Sequence, residues 1–142
     1  PGNRLKLIAD RRSQKIDQLA HQPWAEVCWY FPKTREQFRL SGTMAVVQPE
    51  STDPELQQAR QTQWQDLSDS ARLQFVWPHP RQSRAKSGFT PDPPDPILPL
   101  TNFCLLLLDP VQVDHLELRG DPQNRSLYCY INGNWTVKSV NP

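Results

Sequence analysis

The dipeptide Asn132-Gly133 constrains the fold of this chain more than any other feature. With Asn134 it stands between two apolar-aromatic runs, residues 126–131 and 135–140. A two-residue hairpin turn of the favoured type needs positive φ at both central positions, and Asn-Gly takes up that conformation at little cost. The two runs are therefore predicted to be antiparallel strands. A second hairpin is predicted upstream. Residues 24–31 are rich in aromatic and β-branched side chains (Trp24, Val27, Trp29, Tyr30, Phe31), and Pro32-Lys33-Thr34 is a turn signal. Residues 37–47 form its return strand, with Phe38 and Leu40 on one face and Gln37, Arg39 and Ser41 on the other. Gly42 inside it marks a bulge or bend. Residues 103–108 read as a buried strand, and residues 73–77 and 111–118 as further strands.

Helices punctuate this pattern. After a short strand over residues 4–9, Asp10 and Ser13 are helix-start residues, and Ile16, Leu19 and Ala20 share the apolar face of a short helix ending before Pro23. Ser51 or Asp53 can cap a second helix, with Pro54 in its first turn and Trp64 its main large apolar residue. The stretch from Pro78 to Pro99 contains Pro78, Pro80, Pro91, Pro93, Pro94, Pro96 and Pro99. That density excludes a helix interior or a central strand and predicts a long surface loop or a flexible lid. The fold class is mainly β: a small antiparallel barrel with peripheral helices, in a single domain over residues 1–142.

The bulk properties remove several classes of function. Lys and Arg total 16 against 15 Asp and Glu, a net charge of +1, so no nucleic-acid or membrane-surface partner is expected. No apolar run approaches the roughly 20 residues that span a bilayer. Cys28, Cys104 and Cys129 are odd in number, widely spaced and set in apolar runs. They read as buried free thiols, which points to the cytoplasm. His21, His79 and His115 share no metal-ligand spacing, so no metal is expected. There is no HExxH, nucleophile elbow, GxGxxG or P-loop, and nothing supports a zincin, Rossmann or NTPase reading. The opening Pro1-Gly2-Asn3 lacks an initiator Met, as in a processed chain or a piece of a longer one.

Arg12, Ser13 and Lys15 sit where a strand gives way to a helix. Exposed N–H groups at a helix start, a hydroxyl and an ammonium together suit a phosphate. The same residues also fit an ordinary capped, solvated helix start. Gln37 on the polar face of its strand has the donors and acceptor to meet the edge of a heteroaromatic ring, or it faces solvent. Trp24, Trp29, Tyr30, Phe31 and Phe38 can pack a core, stack on a planar cofactor or fill a subunit interface. Arg125, after the turn Gly120-Asp121-Pro122, can bind a substrate phosphate or carboxylate, or lie on the surface. No residue identifies itself as a catalytic acid or base.

The order of these elements resembles the FMN-binding split-barrel proteins related to pyridoxamine 5'-phosphate oxidase. The run Leu5-Lys6-Leu7-Ile8-Ala9-Asp10-Arg11-Arg12-Ser13-Gln14-Lys15 is similar to the family's strand-turn-helix element, in which a Ser-Arg-Lys run meets the FMN phosphate. The resemblance implies phosphate roles for Ser13 and Lys15 and flavin-lining roles for Ile8 and Ala9. Gln14 takes the place of the middle Arg, with Arg12 as a compensating cation. Gln37, in Glu36-Gln37-Phe38-Arg39-Leu40-Ser41-Gly42, takes the flavin-contacting Gln position. The similarity continues through Trp64-Gln65-Asp66-Leu67 and Phe75-Val76-Trp77-Pro78-His79-Pro80 to Arg125 and Trp135. It implies FMN as cofactor, a homodimer with the flavin at the subunit interface, flavin-dependent oxidation or reduction of a small molecule, and first barrel strands preceding Pro1. The departures lie near the C-terminus. Leu118 stands where the family has a flavin-contacting Trp. In Arg125-Ser126-Leu127-Tyr128-Cys129, only the first Arg of the true oxidase's Arg-Leu-His-Asp-Arg-type motif is kept.

Overall fold

The computed structural model describes residues 4–142, so the opening Pro1-Gly2-Asn3 and anything preceding it lie outside the described residues. Strands β1 (Leu5–Asp10), β2 (Trp24–Phe31), β3 (Glu36–Val47), β4 (Phe103–Glu117), β5 (Asn124–Ile131) and β6 (Asn134–Val140) are accompanied by helices α1 (Gln14–His21), α2 (Pro54–Gln65) and α3 (Asp69–Leu73). The strand order is β2-β3-β4-β5-β6, with β1 paired to β4. The pairs β2–β3, β4–β5 and β5–β6 are antiparallel. The described chain divides into two compact units, one of residues 4–5, 23–44 and 108–142, the other of residues 6–22 and 45–107.

In the first unit both predicted hairpins form. Ile131 pairs with Asn134 across Asn132 at φ 50° and Gly133 at φ 85°, the two positive values that the Asn-Gly turn requires. Strand β2 pairs residue for residue with β3, from Trp24↔Thr43 to Phe31↔Glu36. Of the bulge or bend expected at Gly42, that unbroken register leaves no bulge on the side facing β2. A Cβ there would lie 2.1 Å from the Asp109 carbonyl oxygen, so Gly42 is required by close backbone approach. The same contact explains a second correction. Residues 103–108 and 111–118, expected as separate strands, form the single strand β4, which runs through Asp109-Pro110. The β4–β5 ladder begins at Gln112, so on that side Pro110 precedes the positions where an N–H is needed.

The second unit holds most of the core. Val47, Leu105 and Leu107 pack with Leu56 and Ala59 of α2, and Trp64, Phe75 and Phe103 form an edge-to-face aromatic cluster with Ile8, Leu67 and Leu100 against it. Asp53 caps α2 by accepting from the Glu55 and Leu56 N–H groups, with Pro54 beginning the helix. The Trp64 indole donates to the Asp95 carbonyl (2.9 Å), which ties the proline-rich segment to the cluster. Arg60 is buried and donates to the carbonyls of Phe103 (3.0 Å) and Leu100 (2.6 Å); burial lowers its pKa.

Residues 73–77 are not the expected strand. Ser68 caps α3, and the chain leaves the helix through i→i+3 turns in which the Phe75 N–H donates to Arg72 and that of Val76 to Leu73. These turns, rather than strand alternation, bring Phe75 inward. The cysteines also depart from expectation: Cys104 is buried, and that burial raises its pKa, while Cys129 is half-buried and Cys28 exposed. Among the described residues no helix is long and apolar enough to cross a membrane.

Candidate functional site

Strand β1 delivers Ile8, Ala9 and Asp10 to the wall of a cavity of about 400 Å³ in the second unit. The chain then turns, with the Ser13 N–H donating to the Asp10 carbonyl (2.9 Å), and α1 begins. Ser13 is the N-cap: its hydroxyl accepts from the Lys15 N–H (3.4 Å) and its carbonyl from the Ile16 N–H (3.0 Å). Buried Ile16 anchors the helix. Ser13 and Lys15 therefore line the same cavity as Ile8 and Ala9, on the sequence pattern of a strand, an Asx-type turn and a capped helix.

The other side of the cavity comes from α3 and the segment after it: Ala71, Gln74, Phe75, Trp77, Pro78, Pro80 and Phe89. The Trp77 and Phe89 rings meet edge to face at 5.9 Å. The Trp77 indole N–H is buried with no hydrogen-bond partner. An apolar, aromatic wall facing a hydroxyl, an ammonium and a helix N-terminus suits a ligand with a planar ring and an anionic tail. That donor set fits a flavin phosphate.

Arg12 is not among the residues lining the cavity. Its guanidinium grips the Asp10 carboxylate through Nε (3.0 Å) and Nη2 (2.6 Å) and donates from Nη1 to the Trp77 carbonyl (3.0 Å). The Asp10 hydrogen bond raises its pKa. Arg12 thus fixes the turn before α1 and the start of the proline-rich segment. Gln14 accepts a hydrogen bond from Arg81 of that segment.

Gln37 and Arg125 belong to the first unit. Gln37 is half-buried in β3 and opposite Tyr30. Arg125 is held bidentately by Asp114 (Nε 3.0 Å, Nη2 2.7 Å), and the arginine holds that carboxyl below the usual carboxylate range. Sequence reasoning missed Trp77, Pro78, Pro80 and Phe89 as cavity residues. The signal was the proline density itself, which marks a segment whose backbone is fixed without helix or sheet.

A sequence model described as pyridoxamine 5'-phosphate oxidase, FMN-binding domain, matches residues 2–48. The pyridoxine/pyridoxamine 5'-phosphate oxidase 2 of Arabidopsis thaliana is 34% identical over 148 residues, covering 99% of this chain and 73% of the relative. A crystal structure of a pyridoxamine 5'-phosphate oxidase-related, FMN-binding protein from Nostoc punctiforme shares 57% identity at a TM-score of 0.92, covering 99% of this chain and 74% of that one. PhzG from Burkholderia lata, solved with tetrahydrophenazine-1-carboxylic acid, shares the fold alone, at 15% identity and a TM-score of 0.72 over 96% of this chain and 68% of that one. The chain belongs to the FMN-binding split-barrel family of pyridoxamine 5'-phosphate oxidase.

Proposed function

We propose that this protein is an FMN-dependent oxidoreductase, a cytoplasmic homodimer that holds its flavin at the subunit interface. One observation carries the reading: Ser13 and Lys15 line one cavity with Ile8 and Ala9, opposite an aromatic and proline wall. Lys15 supplies positive charge for the phosphate, Ser13 and the first turn of α1 supply donors, and Ile8 and Ala9 give the ring system an apolar surface. Gln37 is assigned to the polar edge of the ring, by the family's pattern. When bound, FMN supplies the electron transfer, and the protein supplies orientation and electrostatics. The homodimer is supported by apolar side chains left exposed on β2, β5 and β6.

Oxidation of pyridoxine 5'-phosphate is the second reading, favoured by the name of the Arabidopsis relative. Asp114 holds two of the five guanidinium donors of Arg125, so a substrate phosphate or carboxylate either uses the remaining donors or displaces that carboxylate. Purification followed by a visible spectrum tests the main reading. We expect a yellow protein, or one that turns yellow on adding FMN, with flavin absorption retained through gel filtration. A colourless protein that fails to take up FMN overturns it. Formation of pyridoxal 5'-phosphate from pyridoxine 5'-phosphate in the same preparation selects the second reading over other flavin chemistry.

A further inference from the structure

We propose that Glu36, His115 and Glu117 form a binding site for a divalent transition metal of the zinc class. All three belong to the first unit and none lines the cavity of Ser13 and Lys15, so the inference stands apart from the flavin reading. Spacing along the chain does not reveal the group, because Glu36 precedes His115 by 79 positions and strand pairing brings the two together. Glu36 opens β3. His115 and Glu117 are two apart at the end of β4, so they project from one face of the sheet. The Leu118 N–H donates to the Arg35 carbonyl (2.9 Å), which fixes the end of β4 beside the start of β3. One imidazole nitrogen and one oxygen from each carboxylate then lie within 4.8 Å of one another.

The three side chains are placed as a metal needs them. Zinc bonds to imidazole nitrogen and carboxylate oxygen are about 2.1 Å long, so two ligands of a tetrahedral zinc stand about 3.4 Å apart. Nε2 of His115 and Oε1 of Glu36 are 3.2 Å apart, and side-chain torsions of Glu117 can close the remaining gap. The imidazole is held in advance: its ring stacks on that of Phe38, with centroids 4.2 Å apart and planes within 7°. The His115 side chain is 13% exposed and that of Glu36 30%, so an ion here is partly shielded from water. Glu117 is oriented from outside by Asn124, whose Nδ2 donates to its Oε2 (3.1 Å), the kind of outer hydrogen bond that steadies a ligating carboxylate. Two carboxylates this close repel each other. Arg119 acts on Glu36 from outside the group, and a divalent ion between the side chains answers both carboxylates at once. One nitrogen and two carboxylate oxygens make a zinc donor set that leaves a fourth position to water.

The test is calorimetric titration of chelator-treated protein with Zn²⁺, for the wild type and the variants His115→Gln, Glu117→Gln, Cys28→Ser and His79→Gln. The wild type should bind one ion per chain with a Kd on the order of 1 µM. His115→Gln and Glu117→Gln should each weaken it at least about tenfold. Cys28 and His79 are exposed and can take up zinc adventitiously, so their variants should bind as the wild type does. Glutamine at 117 keeps the length of the side chain and an acceptor for Asn124, so Glu117→Gln should melt like the wild type without metal and decides the matter even if His115→Gln fails to fold. A wild type with no saturable binding at about 100 µM Zn²⁺ overturns the proposal. So does undiminished binding by Glu117→Gln, or a loss on Cys28→Ser accompanied by thiolate charge transfer in the cobalt(II) spectrum, since either result puts the ion elsewhere.

Discussion

Asp114 and Arg125 are a residue pair whose chemistry has a measurable pH signature. The two side chains meet through two hydrogen bonds from β5 to β4, and Arg39 and His115 add smaller attractions on the same carboxylate. The Arg125 hydrogen bond is the largest cause of the lowered Asp114 pKa. A carboxyl whose folded pKa is depressed contributes stability that is fully present above its unfolded value, about 3.9, and lost as pH falls through the folded value. Asp114→Asn should therefore melt a few degrees below the wild type at pH 7, and the gap should close as pH drops from about 5 toward 2. Thermal unfolding of both proteins across that range measures it, and a gap that stays constant or widens at low pH would falsify the assignment. The same pair bears on substrate binding. An anion that recruits Arg125 competes with Asp114 for its charge, so the asparagine variant separates the structural use of the arginine from a binding one.

Strands β3 and β4, neighbours in the sheet, approach each other at a point where only glycine fits. The contact is backbone to backbone: a Cβ on Gly42 would meet the Asp109 carbonyl oxygen at 2.1 Å and the Pro110 Cα at 2.8 Å, and neither can rotate away. Gly42→Ala should cost roughly 3 kcal/mol, at the upper end of overpacking penalties. Gly133→Ala is the control at the element scale. Its Cβ would meet nothing within 4 Å, and only the positive φ of 85° opposes it, so a cost of about 1 kcal/mol is expected. Urea unfolding of the two variants should rank them in that order, and equal midpoints would remove the clash as the reason for Gly42.

This element also shows what the sequence could and could not reveal. The Asn132-Gly133 turn and the caps of α1 and α2 were legible because each depends on a few adjacent residues with one favoured backbone state. The continuity of β4 was not, because Pro110 argues locally for a break. What permits it is the absent side chain of Gly42, 68 positions earlier in the numbering (110 − 42). Residues 73–77 misled for the opposite reason. Leu73, Phe75 and Trp77 alternate as in a strand, but hydrogen bonds from the α3 terminus set the local path. At the candidate site Ser13 and Lys15 could be found from their own neighbourhood. Their partners Trp77, Pro78 and Phe89 lie more than 60 positions away in a segment with no periodicity to read.

For the whole molecule, the unpaired question is what covers the apolar side chains of the first unit. Trp29 and Tyr30 of β2 are 48% and 47% exposed, and Ile131, Trp135 and Val137 of the β5–β6 hairpin are 56%, 47% and 63% exposed. Among the described residues β2 and β6 end the strand order, so Trp29, Tyr30, Trp135 and Val137 sit on edge strands and Ile131 at the end of the strand beside β6; an uncovered row of backbone donors and acceptors invites pairing or aggregation. Neither edge is protected within the strands by proline, and Lys138 is the only cation on β6. Apolar groups in such numbers mark an interaction surface. Under the homodimer reading, a second copy covers them, and dispersing charge there should dissociate the assembly. We expect light scattering at about 10 µM to give twice the mass of one chain for the wild type, and one chain for the double variant Trp135→Glu, Val137→Glu. Both substituted positions are exposed, so the variant chain should keep its far-ultraviolet circular dichroism. Because the flavin is proposed to lie between subunits, FMN affinity should fall with the dimer. A wild type that is monomeric while binding FMN tightly would detach the cofactor from the interface, leaving the cavity of Ser13 and Lys15 to hold it within one chain.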